Sequence, residues 1–203
     1  MDDAIFERDG YGFWRQVDPK PFSYDCGYKS AQGTTAEMSW LRLGFLLSAV
    51  SPSECLSGQA CDVGSGNGCF ARTVGGCFGR MREYDVAGDS ISDDELYGTE
   101  WDVLFLTDVL EHFPDIDDLF RMRFRTLFLS FPETPHADDF RELRSWRHYK
   151  PDEHIWMLNG DGVVRWLSEH GCDAVAIGNP EDAIRRPQAG LDRNITTIVA
   201  KRR

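Results

Sequence analysis

The stretch that decides the fold is Ala-Cys-Asp-Val-Gly-Ser-Gly-Asn-Gly at residues 60–68. A short apolar run, typical of a buried strand, ends in three closely spaced glycines, and the residues from Asn67 to Cys77 favour a helix. Glycines at a strand-to-helix turn let a ligand lie against the backbone and leave amide N–H groups free to bind it. The pattern therefore predicts a nucleotide-type binding turn.

An acidic residue one strand later strengthens this interpretation. Asp85 lies in the next predicted strand, Met81 to Val86, where a carboxylate can accept two hydrogen bonds from a ribose diol. The alternative is a tight turn beside an exposed aspartate. A nicotinamide or flavin fingerprint would place its third glycine at position 69, which is Cys69, so the spacing argues against a dinucleotide.

Beyond this turn, strands and helices alternate along the chain. A capping-box pattern at Thr34 and Glu37 predicts a helix from Thr35 to Val50. Several of the predicted strands are continuously apolar, which is typical of a mostly parallel sheet covered on both faces. The remaining predicted elements are strands at 101–106, 126–131, 173–177 and 194–200, and helices at 115–122 and 161–170.

Two segments stand outside the alternation. Residues 1–34 are rich in aromatic side chains without a clear period, which predicts an irregular arm or lid preceding a single domain at 35–203. The polar stretch from Glu133 to Asn159 is long for a connection between a strand and a helix. We expect both segments to form the walls of the site on the acceptor side.

Composition limits the possible partners. The net charge of −12 makes nucleic acid an unfavourable partner, because most of the surface would repel phosphates. The sequence has no uncharged run long enough to cross a bilayer and no basic, apolar leader, so we expect a soluble cytoplasmic protein that does not bind membranes. The six cysteines form no Cys-x-x-Cys motif, which predicts neither a metal site nor a disulfide framework.

Several motifs together resemble a known family. The run Asp-Val-Gly-Ser-Gly-Asn-Gly at 62–68 is similar to the first motif of the class I S-adenosylmethionine-dependent methyltransferases. The resemblance continues at residues 84–86 and then at 101–112, which end in Asp-Val-Leu-Glu-His like the fourth-strand motif of a large subgroup. It extends through 127–132 and the His-Tyr-Lys-Pro-Asp-Glu-His stretch at 148–154.

This resemblance implies a fold and a cofactor. The fold would be α/β, a Rossmann-like three-layer sandwich whose mostly parallel sheet has an antiparallel last strand. Residues 86–100 leave little length for the family's usual helix and third strand, so that strand would be vestigial or missing. The cofactor would be S-adenosyl-L-methionine, and the product S-adenosyl-L-homocysteine.

The resemblance also implies roles for individual residues. Asp62 would anchor the turn or the methionine amine, Asp85 would hold the ribose hydroxyls, and Asp89 or Ser90 are candidates for the adenine contact. The glycine turn would line the methionine and ribose, and the end of the fourth strand would border the cofactor and face the acceptor. The implied cofactor-binding residues are Asp62, Gly64, Ser65, Gly66, Asn67, Gly68, Asp85, Thr107, Asp108 and Val109.

Methyl transfer depends mainly on holding the acceptor in line with the methyl group, and it needs a base only where the acceptor must lose a proton. His112 and His148 are the candidate catalytic bases, with a purely structural role as the alternative for each. The resemblance and the acidic charge favour a small-molecule or glycan-type acceptor. Three alternatives remain: a nucleic-acid methyltransferase using Arg141, Arg144, Arg147 and the basic tail at 201–203, a protein methyltransferase, and an inactive cofactor-binding module. Nothing in the sequence indicates the oligomeric state.

Overall fold

A six-stranded sheet forms the centre of the protein. The computed structural model describes residues 5–24, 27, 33–88 and 90–203, so Asp89 lies outside the described residues. In chain order the strands are β1 (Phe6–Arg8), β2 (Trp14–Gln16), β3 (Gln59–Val63), β4 (Arg80–Tyr84), β5 (Glu100–Thr107), β6 (Arg123–Pro132), β7 (Trp156–Met157), β8 (Cys172–Gly178) and β9 (Ile195–Arg202). The central sheet has the order β4-β3-β5-β6-β9-β8.

The strand directions confirm the predicted fold class. Strand β3 runs parallel to both β4 and β5, and β5 runs parallel to β6. Strand β9, the last in the chain, is antiparallel to its neighbours β6 and β8. Between β4 and β5 the described residues contain one short helix and no strand, so the third strand of the family pattern is missing from this part of the chain.

Helices cover both faces of the sheet, as the three-layer prediction requires. They are α1 (Ala36–Ala49), α2 (Pro52–Cys55), α3 (Cys69–Val74), α4 (Asp93–Gly98) and α5 (Gly160–Glu169). On one face Leu46 of α1 and Phe70 of α3 pack against Phe105 of β5. On the other, Trp166 of α5 packs in the core that contains Leu104. Alternate residues of β5 are thus buried under opposite layers.

Helix ends differ from the predictions by a few residues. The N-cap of α1 is Thr35, whose side chain accepts a hydrogen bond from the Met38 amide, so the cap lies one residue later than the Thr34 box predicts. Helix α3 begins only at Cys69, because Gly68 at its N-cap has the left-handed φ of 67°. The segment predicted as a helix at 115–122 forms a 3₁₀ turn instead, Ile116–Arg121.

The amino-terminal arm is more regular than predicted. Strands β1 and β2 pair antiparallel, and β2 also pairs with β7, which belongs to the long polar stretch at 133–159. Phe6 and Trp14 of the arm are buried together with Trp146 and Met157 of that stretch. The prediction of an irregular arm is therefore wrong for these strands, because apolar side chains from a distant segment complete a small sheet with its own core. No helix in the described ranges combines the length and apolar character that a bilayer crossing requires.

Candidate active site

One cavity of about 960 Å³ opens at the carboxyl ends of β3, β4 and β5. This is where open parallel sheets bind ligands, and its volume lies at the upper end of the range for small-molecule sites. The walls come from the glycine turn, the end of β5, the arm and the 148–155 segment. Residues from each wall include Tyr24, Asp62, Gly64, Asp85, His112 and His154.

The glycine turn brings bare backbone to the cavity. Gly64 has a φ of 71°, and a Cβ atom there would lie 2.3 Å from a methyl group of Val109. Its amide donates a hydrogen bond of 2.7 Å to the carbonyl of Tyr84 at the end of β4. Only glycine satisfies both the backbone conformation and the close approach of Val109. Gly64, Ser65 and Gly66, three of the residues predicted to bind the cofactor, all line the cavity.

Asp85 braces this turn from the neighbouring strand. One carboxylate oxygen accepts a hydrogen bond of 2.8 Å from the Gly66 amide, and the other accepts one of 2.9 Å from the Ala87 amide. An ionised carboxylate has about four acceptor positions, so the two contacts leave capacity for a ligand in the cavity. The side chain is thereby oriented before any ligand arrives.

Two of the residues proposed from the motif do not line the cavity. The Asn67 side chain accepts a hydrogen bond of 2.9 Å from the Cys69 amide and donates one of 3.2 Å to the carbonyl of Thr34. Gly68 forms the N-cap of α3. Neither residue therefore contributes to the cavity wall. Both lie at the start of α3, and Asn67 also binds the backbone of Thr34 at the end of the arm.

Asp62, at the end of β3, is 1% exposed and lines the cavity. Its Oδ1 atom has no hydrogen-bond partner among the described residues. Burial raises the pKa of Asp62 to about 7, although the nearby Arg42 guanidinium opposes the rise. The carboxyl group is thus a buried acceptor that a cationic ligand would satisfy.

A network of four charged side chains supports the end of β5. Buried Arg42 forms two hydrogen bonds, of 2.9 and 3.0 Å, to the buried carboxylate of Glu181. Arg185 bridges Glu181 to Asp108, and these cations hold the pKa of Asp108 below its usual range despite its burial. This network was not predicted from the sequence. One indication was present, because Arg42 is the only charged residue in the otherwise apolar run from Trp40 to Leu47, and a charge in such a run needs a buried partner.

Thr107, Asp108 and Val109 all line the cavity, as the resemblance implies. Asp108 has a φ of 56°, a left-handed conformation that is unusual for a residue other than glycine. Its amide donates a hydrogen bond of 2.9 Å to Ser130 on the neighbouring strand. Such strain persists only where surrounding contacts hold it, and here the arginine network and the strand do so.

The structure brings both predicted histidines to the cavity, together with His154. The Nδ1 atom of His112 lies 2.8 Å from the carbonyl of Glu153 and 3.1 Å from the Tyr24 hydroxyl. The Nε2 atom of His148 lies 2.8 Å from the Oδ1 atom of Asn194. Burial lowers the pKa of each ring, so both imidazoles are neutral near pH 7.

The matched family defines the class of the protein. Residues 42–177 match the family described as "Methyltransferase domain", and because this is more than half of the chain, the protein belongs to that family. No curated protein sequence matches the chain. The protein is therefore a methyl-group transferase of the class I, S-adenosylmethionine-dependent type that the motifs predicted, and S-adenosylmethionine is its methyl donor.

Solved structures of similar fold agree with this class. Magnesium protoporphyrin IX methyltransferase from Synechocystis PCC 6803 with bound SAH has a TM-score of 0.55 and 14% identity, over 87% of this chain and 92% of that chain. An S-adenosylmethionine-dependent methyltransferase from Clostridium acetobutylicum ATCC 824 has a TM-score of 0.57 and 10% identity, over 85% and 93%. A SAM-dependent methyltransferase from Archaeoglobus fulgidus has a TM-score of 0.55 and 14% identity, over 83% and 95%. At these identities the likeness concerns the fold.

Proposed function

We propose that this protein methylates a small-molecule or glycan-type acceptor in the cavity at the carboxyl end of the sheet. The observation that carries the proposal is that one cavity of about 960 Å³ is lined both by the glycine turn and by three largely buried histidines, His112, His148 and His154. Its volume suits a donor of nucleotide size together with a compact acceptor.

The turn side is the proposed cofactor site. Asp85, already oriented by two amides, would accept the ribose hydroxyls. Asp62 would accept the methionine ammonium, which supplies the missing partner for its buried Oδ1 atom. Gly64, Ser65 and Gly66 would line the methionine and ribose, whereas Asn67 and Gly68 would act indirectly by shaping the turn.

The opposite side is the proposed acceptor site. Methyl transfer forms a bond from the acceptor to the methyl carbon while the carbon–sulfur bond breaks and its electron pair stays on sulfur. His148 donates its Nε2 proton to Asn194, so its Nδ1 atom keeps a lone pair for an acceptor proton. His112 donates its Nδ1 proton to the Glu153 carbonyl and keeps a lone pair on Nε2. Either neutral ring can therefore serve as the base.

The charge distribution favours a small acceptor over nucleic acid. The net charge is −12, and several arginines on the surface are paired with acids. Arg121 lies 3.0 Å from Asp118, and Arg125 lies 3.2 Å from Glu100. Such pairing weakens the local positive potential that phosphate binding requires.

A labelling experiment tests the acceptor class. The protein is incubated with methyl-labelled S-adenosylmethionine and a cell extract, which is then separated into an ultrafiltrate, a protein fraction and a nucleic-acid fraction. We expect label in small molecules of the ultrafiltrate other than S-adenosylmethionine itself, or in free glycans, and much less of it with Asp85→Ala at a limiting S-adenosylmethionine concentration as the matched control. Label in material that nuclease or protease releases would contradict the proposal and support the corresponding macromolecular acceptor.

A further inference from the structure

Three side chains at the acceptor end of the cavity form a cluster that methyl transfer by itself does not explain. Glu111 and His112 follow β5, and His154 comes from the 133–159 stretch. One potential ligand atom from each residue lies within 4.8 Å of the others. A zinc ion with bonds of about 2.1 Å holds tetrahedral ligands roughly 3.4 Å apart, so small side-chain rotations would close the cluster around an ion.

The environment of the Glu111 carboxylate is a second, independent observation that points to a bound cation. Its side chain is 2% exposed, and neither carboxylate oxygen has a hydrogen-bond partner among the described residues. A buried carboxylate that lacks a hydrogen-bond partner among the described residues is costly. A bound cation would satisfy both oxygens and remove that cost.

The orientation of His112 also suits metal binding. Its Nδ1 atom faces the Glu153 carbonyl at 2.8 Å, which fixes the proton on that nitrogen. The other nitrogen, Nε2, therefore keeps its lone pair, and it lies 4.0 Å from the Oε1 atom of Glu111. Metal-binding histidines commonly donate their second N–H to a backbone carbonyl in this way.

We propose that Glu111, His112 and His154 bind a divalent transition metal ion of the zinc type. Two imidazoles and one carboxylate suit zinc and its neighbours in the first transition series, whereas magnesium and calcium prefer oxygen ligands alone. Because all three residues line the cavity, the open coordination positions face the space assigned to the acceptor. Metal binding takes up the Nε2 lone pair of His112, so in the metal-bound protein His148 is the base. The metal site revises the expectation of no metal, which considered cysteine motifs, and it stands whether or not the proposed acceptor class is correct.

Metal binding by the untagged, chelator-treated protein provides the test. Zinc is titrated calorimetrically, and cobalt is added separately so that its visible absorption reports nitrogen and oxygen coordination. We expect one equivalent of either metal, with Glu111→Gln weakening binding by about 100-fold or more. The basis for this size is that even partners outside the coordination sphere contribute roughly 10–100-fold. Glu111→Gln preserves the shape of the side chain, and His154→Ala should give a similar loss.

A matched variant distinguishes this metal site from adventitious zinc binding by a surface histidine. His136→Ala removes an exposed histidine that lies beside Asp138 on the surface, so it should bind zinc like the unaltered protein. S-adenosylhomocysteine binding by each variant shows that its fold is intact. The proposal is overturned if the unaltered protein takes up neither metal, if it prefers magnesium to zinc, or if folded Glu111→Gln binds zinc as tightly as His136→Ala does.

Discussion

The two sides of the cavity are built in different ways. The turn side uses backbone that follows two neighbouring strands, β3 and β4. Its contacts include hydrogen bonds donated by backbone amides, such as the one from Gly66 to the Asp85 carboxylate. The acceptor side uses side chains from four separate segments, among them Tyr24 of the arm, His112 after β5, His154 and Arg185.

The two sides therefore differ in how far apart in the chain their determining residues lie. Backbone conformation and glycine spacing define the turn locally, so a short sequence contains most of its information. The acceptor side depends instead on buried polar groups that must find partners from distant parts of the chain. The charged network around Arg42 and the cluster around Glu111 are two such cases. The charges of the first are paired, whereas the Glu111 carboxylate has no hydrogen-bond partner among the described residues.

The largest expected effect comes from breaking the paired network. Arg42→Met removes one of the two cations that neutralise the buried Glu181 carboxylate and leaves Arg185 as its remaining partner. Breaking a buried ion pair in this way should lower the free energy of unfolding by about 3–5 kcal/mol, as measured by urea denaturation. Arg123→Met, at an exposed ion pair with Glu100, is the control and should cost no more than about 1 kcal/mol. Equal losses in the two variants would show that the network adds no more to stability than a surface pair.

Asp62→Asn tests the buried acid on the turn side without cofactor. The pKa of Asp62 is about 7 in the folded protein and about 3.9 when unfolded. The folded state therefore binds more protons, and stability falls as pH rises from about 4 to 7. Asparagine removes this dependence, so the variant should gain roughly 2–4 kcal/mol relative to the unaltered protein between pH 4 and 8. Denaturation at several pH values measures the difference, and a flat difference contradicts the assignment.

Asp85→Ala tests the cofactor contact from the same side. Loss of hydrogen bonds to a charged group should weaken S-adenosylmethionine binding by about 1.5–3 kcal/mol in titration calorimetry. Asp94→Ala, which alters an exposed residue of α4 away from the cavity, should bind normally. If Asp85→Ala binds as tightly as this control, the carboxylate does not hold the ribose.

The smallest effect is expected from the arm. Tyr24→Phe removes a hydroxyl that lies 3.1 Å from His112, and this should lower kcat/KM for the acceptor by the equivalent of about 0.5–1.5 kcal/mol. S-adenosylmethionine affinity should not change, because Tyr24 acts on the acceptor side. Tyr149→Phe, in the aromatic cluster with Phe6, is the control. If Tyr24→Phe lowers the affinity for S-adenosylmethionine, Tyr24 also contributes to the cofactor site, and the division of the cavity into a cofactor side and an acceptor side is wrong.

Much of the fold could be predicted because its signals are local. The predicted strands overlap all six central strands, several of which are continuous apolar runs, and the short interval between Asp85 and Trp101 predicted a vestigial or missing third strand. The arm could not be predicted in the same way. Strands β1 and β2 are three residues each and become regular only by pairing with each other and with β7, about 140 residues away from β2 in the chain.

The sequence by itself determined the glycine turn and the acid beside it, because these depend on residue type and spacing within a short stretch. The methyltransferase class was implied by the resemblance of several ordered motifs to a known family. Only the tertiary structure decided that Asn67 and Gly68 sit behind the cavity, that Arg42 meets Glu181, and that Glu111 and His112 meet His154. Those contacts join residues about 40 to 140 positions apart. These contacts affect stability strongly because the groups are buried. A charge that is removed from water costs free energy unless another residue, near or far in the chain, pairs with it.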